Sequence, residues 1–259
     1  MRRPPRSCRR ASVKTSPTTE PVLRPRPTLR RRSLTFLRDI LIIVLVAVTV
    51  SFLVKTFLVR SFYIPSGSME NTLQINDRIL VNELVPSVVP LQRGDVVVFS
   101  DPGGWLNPAE TSSAQGGLAQ VTGAFLTFIG LGVSDSNNHL IKRVIGLPGD
   151  HVTCCNPLGQ IEVNGSPIIE PYTHEPAGTA PAGAVTFDVT VPANSLWVMG
   201  DNRYNSQDSS RNQELPGKGF VPISDVVGRA VVITWPIDRW QVLDDYPNVF
   251  RGVGSAPTG

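Results

Sequence analysis

Ile40 to Val59 reads ILIIVLVAVTVSFLVKTFLV, an apolar run in which only Lys55 is charged. About 20 residues at 1.5 Å rise each make a helix of roughly 30 Å, the thickness of a hydrocarbon core, so the pattern predicts a membrane-spanning helix. Lys55 lies within a turn or two of the far end, where its stem can follow the helix while the ammonium reaches the headgroups. Beyond this run the apolar stretches are short and β-branched, as in Val96–Phe99, Leu140–Ile145, Gln160–Val163, Ser195–Met199 and Arg229–Trp235. Turn residues bound them, notably Arg93-Gly94-Asp95, Pro148-Gly149-Asp150 and Asn164-Gly165. The fold class expected is mostly β after a single N-terminal transmembrane helix. Roughly two hundred residues suffice to bury a core.

No internal repeat is evident, and nothing after Trp235 is long and apolar enough for a second span. The stretch from Asp101 to Asn138 is rich in Gly, Ser and Pro around an apolar segment, Leu118 to Val133. That segment fits equally a helix or hairpin touching the bilayer and an ordinary loop packed on the domain.

Charge orients the chain. Residues 1–38 hold about a dozen Arg and Lys against the single acid Glu20, an imbalance that keeps the N-terminus in the cytoplasm and puts the β domain outside. A cleavable export signal shares the basic leader and apolar core, and Arg31-Arg32-Ser33 loosely imitates a twin-arginine signal. The length of the apolar run, and the lack of a small-x-small pair in Val59-Arg60-Ser61-Phe62-Tyr63, favour an uncleaved anchor. Residues 1–35 have too little apolar content for a core and are expected to be disordered, their basic side chains lying on anionic lipid. The net charge of +3 is positive only because of this leader; the acidic exterior argues against a nucleic-acid partner.

Cys8 is cytoplasmic in this reading. Cys154 and Cys155 are adjacent and outside, leaving a vicinal disulfide, free thiols or pairing with another chain all open. His139, His151 and His174 lack the spacing of a metal site, so no metal and no cofactor is expected.

A serine hydroxyl needs a base to attack a carbonyl. The histidines sit in turn-like settings and no G-x-S-x-G elbow is present. A lysine can replace histidine only when uncharged. At a pKa of about 10.4 roughly one lysine in 2,500 is neutral at pH 7, a handicap that burial can remove. Lys142, inside the apolar strand Leu140–Ile145 and pointing opposite to Ile141 and Arg143, is the best candidate. A lysine on a solvated strand face is the plain alternative.

The company of Lys142 decides between them. Ile64-Pro65-Ser66-Gly67-Ser68-Met69-Glu70-Asn71-Thr72-Leu73, Arg93-Gly94-Asp95-Val96-Val97, Lys142-Arg143-Val144-Ile145-Gly146-Leu147-Pro148-Gly149-Asp150 and Gly200-Asp201-Asn202-Arg203-Tyr204-Asn205-Ser206-Gln207-Asp208-Ser209 resemble, in order, the boxes of the bacterial type I signal peptidases. The resemblance runs from about residue 36 to residue 236. It implies a membrane-bound serine endopeptidase that cuts signal peptides from exported preproteins, selecting small residues at the first and third positions before the cut.

It also implies roles. Ser68 is the nucleophile, Lys142 the general base, and Ser66 an oxyanion donor beside the backbone N–H of Ser68. Ser206 hydrogen-bonds Lys142, while Asp208 and Arg143 support the site. Ile64, Pro65, Met69, Leu73, Ile79 and Ile141 line the substrate groove. Two departures stand out: Asn71 where proline is frequent, and Ser206-Gln207-Asp208-Ser209-Ser210-Arg211 with its arginine one place late, which puts an Asp208 ion pair in question.

The expected organisation is a leader over 1–35, a transmembrane helix over 36–60, and an antiparallel catalytic β domain over 61–149 and 196–240. A smaller β insertion occupies 150–195 and a C-terminal tail 241–259. Nine residues separate Val59 from Ser68, at most about 30 Å of chain, so the nucleophile belongs near the outer membrane face. The expected partners are signal peptides and the lipid bilayer, and the location is the cell membrane, single-pass with the N-terminus cytoplasmic. A catalytically dead anchored domain and a cytosolic self-cleaving Ser-Lys peptidase are the rival readings.

Overall fold

The computed structural model describes residues 29–106, 138–174 and 185–254, apart from the side chains of 29–35 and 52–57. The leader up to residue 28 and the apolar segment Leu118–Val133 lie outside the described residues. The chain divides into two units, Met1–Ala47 and Val48–Gly259.

Helix α1 runs from Leu29 to Phe57. It starts inside the expected disordered leader, because Leu29-Arg30-Arg31-Arg32 are good helix formers and no Gly or Pro interrupts the run. It also stops short of the expected end at residue 60. Val59–Tyr63 instead form strand β1, which pairs antiparallel with β2, Arg78–Asn82. A complete ladder of partners over five residues outweighs the helical preference of the end of an apolar run. Apolar side chains from Phe36 to Val50 stand exposed around the helix. Among the described residues no helix is long and apolar enough to cross a membrane.

The second unit is antiparallel β. Strands β3 (Val96–Ser100), β4 (His139–Gly146), β9 (Ser195–Met199), β10 (Val221–Pro222), β11 (Val226–Trp235) and β12 (Gln241–Val242) join β1 and β2 in one sheet. Its order is β1-β2-β11-β3-β4-β9-β10, with β12 on β11. A four-stranded sheet, β7-β6-β5-β8, comprises β5 (His151–Cys154), β6 (Ile161–Val163), β7 (Ser166–Pro167) and β8 (Phe187–Thr190). Asn164-Gly165, both at positive φ, turn β6 into β7 as the two-residue hairpin signal requires. Cys154 and Cys155 are joined as a vicinal disulfide at the end of β5.

β4 is the central element. Leu140 through Gly146 are all buried, so polar side chains within it face protein on either side of the sheet. Val96, Val98 and Ile141 pack with Phe62, Met69, Leu73, Ile79, Ala230 and Ile233. Val97, Phe99, Leu140 and Val144 pack with Trp105, Leu196 and Val198. A third cluster joins the two sheets, with Ile145, Trp197 and Met199 against Val152, Ile161, Val163 and Phe187.

The segment after Trp240 is no loose tail. Leu243 donates its N–H to Val231 O, and Phe250 is buried in the cluster between the sheets. Its approach explains Gly94, at φ +93, where a Cβ would lie 1.8 Å from the carbonyl oxygen of Asp245. Gly94→Ala must push that backbone away and strain its own. We expect a loss of roughly 2 kcal/mol or more, read as a lowered midpoint of denaturant unfolding.

Candidate active site

Ser68 lies in a 3-10 turn, Gly67–Met69. Leu73 N and Thr72 N close onto Met69 O, so the chain coils tightly after the serine. Ser68 is 7% exposed and Lys142, reaching up from β4, only 3%. The Lys142 Nζ donates to Ser68 Oγ at 2.8 Å and to the Ile141 carbonyl at 2.9 Å. Ser66 Oγ is 3.4 Å from Ser68 Oγ. Burial pushes the Lys142 ammonium down from the usual 10.5 to about 8, even though the carboxylates of Asp208 and Asp201 pull the other way. About one amine in ten is then neutral at pH 7, against one in thousands for a free lysine.

The third part of the site is the segment from Gly200 to Ser209, which runs on from β9. Gly200 lets it approach, since a Cβ there would meet Ser206 Oγ at 2.2 Å and the Ser68 carbonyl at 2.5 Å. Asn202 clamps the serine turn. Its N–H donates to Ser68 O at 3.1 Å, and its side-chain Nδ2 donates to Gly67 O and to Glu70 Oε2.

Arg143 ties the site together from below. Its Nε and Nη2 pair with both oxygens of Asp201 at 2.9 and 2.8 Å, with both side chains fully buried. Nη1 donates to the carbonyls of Gly94 and Asp244, and Thr72 Oγ1 donates to Asp201 Oδ2. The guanidinium lies 4.1 Å from the ring centroid of Tyr172, whose hydroxyl donates to Glu170, itself paired with Arg203.

Several expectations need correction. The Ser206 hydroxyl is buried with no hydrogen-bond partner; the lysine takes the Ile141 carbonyl instead. Asp208 makes no ion pair among the described residues. Its carboxylate accepts from Gly200 N, Ser210 N and Ser210 Oγ, so the inserted Ser210 does the satisfying where a basic residue was expected. Arg211, displaced by one place, reaches the carbonyls of Arg203 and Tyr204 at 3.4 Å. Met69, Leu73 and Ile79 have no exposed surface and are core rather than groove lining, because they join the serine turn to β2 and β11 in one apolar cluster with Val81, Ala230 and Ile233. Ile64 and Ile141 are buried in the same cluster, and Pro65 is exposed.

Asp201, Asn202 and Thr72 fall inside recognised motifs but drew no role from the sequence. Tyr172, Glu170 and Tyr246 belong to segments with no motif at all. The one available signal was a charged dipeptide, Lys142-Arg143, in the middle of an apolar strand.

The model of the family described as "Signal peptidase, peptidase S26" matches residues 37–235. The chain belongs to that family. It is a serine peptidase, and its relatives include the "Signal peptidase I" of Mycobacterium tuberculosis strain H37Rv, 36% identical over 85% of this chain and 78% of the relative. The "Probable signal peptidase I" of Mycobacterium leprae is 34% identical over 77% and 76%. The "Signal peptidase I" of Leptolyngbya laminosa is 34% identical over 75% and 78%.

Removing one partner of a buried ion pair leaves an uncompensated charge. Asp201→Asn should therefore cost about 3–5 kcal/mol of unfolding free energy, measured by chemical denaturation.

Proposed function

We propose that this signal peptidase is a membrane-anchored endopeptidase that removes signal peptides from exported preproteins, with Ser68 as nucleophile and Lys142 as general base. The observation that carries this reading is the 2.8 Å contact between a buried lysine and a buried serine hydroxyl. Neutral Lys142 takes the proton of Ser68 as Oγ attacks the scissile carbonyl. The tetrahedral intermediate then collapses with that proton passed to the leaving amine. Water, deprotonated by the same lysine, hydrolyses the acyl-enzyme. Ser66 Oγ and the backbone N–H of Ser68 are the proposed oxyanion donors, worth a few kcal/mol each. Arg143 and Asp208 support the pair, Arg143 through Asp201 and Asp208 through the Gly200 N–H.

An extended substrate has a strand to lie beside. Among the described residues β9 pairs with β4 over Arg143–Gly146, which leaves the β9-facing edge of Leu140–Lys142 outside that ladder. Main-chain hydrogen bonds along that edge would bind, and shallow pockets near Ile64, Pro65 and Ile141 would admit only small side chains at the first and third positions before the cut. A bilayer partner is supported by the apolar residues exposed along α1, and by Trp235, Ile237, Trp240 and Val242 exposed at the end of β11 and beyond. With a basic leader ahead of it, the anchor reads as single-pass with the catalytic domain outside.

Purified full-length protein in detergent, mixed with a preprotein, tests the reading. The parent should release the mature chain and Ser68→Ala should not; equal cutting by both would refute it. Lys142→Arg keeps a charge it cannot lose, so activity should fall at least a thousandfold. Because the neutral amine is the working form, kcat/KM should climb about tenfold per pH unit below about 8 and level off above it.

A further inference from the structure

The C-terminal segment Gln241–Gly254 begins six residues beyond the last one matched by the family model. It is nevertheless built into the site. Asp244 O accepts Arg143 Nη1 at 3.1 Å, and the Tyr246 ring stands 5.3 Å from the guanidinium carbon, on Tyr172 at 5.1 Å between centroids. Asp245 reaches Arg229, which also meets Asp95. Farther along, Phe250 enters the core between the sheets. Gly252 O and Gly254 O accept from Ser166, Arg93 and Asn164. Both ends of the segment are thus tied down, and the part between them lies on the residue next to Lys142.

Tyr246 itself has φ +48, a left-handed backbone that a bulky residue occupies only where its surroundings hold it there. What the strained turn accomplishes is to deliver an aromatic face to Arg143, against which a cation is attracted. We propose that Gln241–Gly254 is a strap that positions the catalytic base, with Tyr246 as its positioning residue, by locking Arg143 onto Asp201. This rests on the peptidase reading above.

The link to chemistry runs through charge. Asp201 and Asp208 are the carboxylates acting on Lys142, and Arg143 covers both oxygens of the first. Around Arg143 stand Asp201, Tyr172 and Tyr246, with Glu170 and Arg203 behind Tyr172, and Asp95, Asp244, Asp245 and Arg229 on the strap side. An arginine free to swing would leave Asp201 less neutralised. Its field would then hold the proton on Lys142 more tightly.

The test compares full-length parent, Tyr246→Ala, Tyr246→Leu and Tyr246→Phe in the preprotein assay, each per folded molecule and across pH. Tyr246→Ala and Tyr246→Leu should lower kcat about tenfold with KM within twofold of the parent, and should move the acid limb upward by half a pH unit or more. Tyr246→Phe, which keeps the ring, should restore both. Tyr246→Leu retains apolar bulk, so it answers the question if the alanine variant does not fold. A leucine variant with the parent's kcat and acid limb would overturn the strap proposal while leaving the peptidase reading intact. Failure of the parent itself to cut would instead bring down the reading on which the proposal rests.

Discussion

Arg143 is the point at which separate parts of this chain are forced to agree. A guanidinium buried this deeply has lost its water and must find partners for its donors within the fold, or the charge would cost several kcal/mol. Those partners come from the turn before β3, from the coil after the nucleophile, from the loop after β9 and from the C-terminal strap. None of the four contributing residues, Gly94, Thr72, Asp201 and Asp244, lies in a helix or strand, so ladder hydrogen bonds do not place them directly. The arginine does. Because Arg143 is covalently next to Lys142 in a buried strand, whatever fixes one fixes the other.

That arrangement separates two demands that conflict in one place. The proposed base needs a dry, apolar setting so that its amine can lose a proton, and Lys142 is given one by the serine turn above and the core beneath. A structure assembled from loops, by contrast, needs charge and hydrogen bonds. Alternation along β4 sends the two side chains to opposite faces: Lys142 toward the hydroxyl of Ser68, Arg143 toward the carboxylate of Asp201. The remaining electrostatic cost is visible in the pKa of about 8, a compromise between desolvation and two nearby carboxylates.

Membership of the signal peptidase family rests on residue order, and the Ser68–Lys142 pair on a contact between residues 74 apart in the chain. The family model spans residues 37–235. The strap lies outside that range and is read from contacts alone.

Much of this was legible in residue order. Local, dense motifs survive translation into one dimension: the Ser-Gly-Ser-Met turn, a lysine in an apolar run, the turns at Gly94 and Gly149, and most of the strands whose apolar residues are β-branched. Strands such as β1, β2 and β12 were not legible, since their pairing rather than their composition makes them strands. The helix boundary moved for the same reason, when β2 claimed Val59 and Arg60. Asp208 and Ser206 were assigned partners by resemblance, and the single inserted residue Ser210 was enough to reassign one of them. Hydrogen bonds depend on an ångström and on what competes for the same donor, and neither is written in spacing. By itself the sequence determined the β class and the order of the motifs, because periodicity and residue type carry those, while the resemblance of the motifs to a family singled out Ser68 and Lys142. Which cation meets which carboxylate, and that residues 241–254 belong to the site at all, was decided only by the tertiary structure, where segments up to about a hundred residues from Arg143 share its desolvated charge.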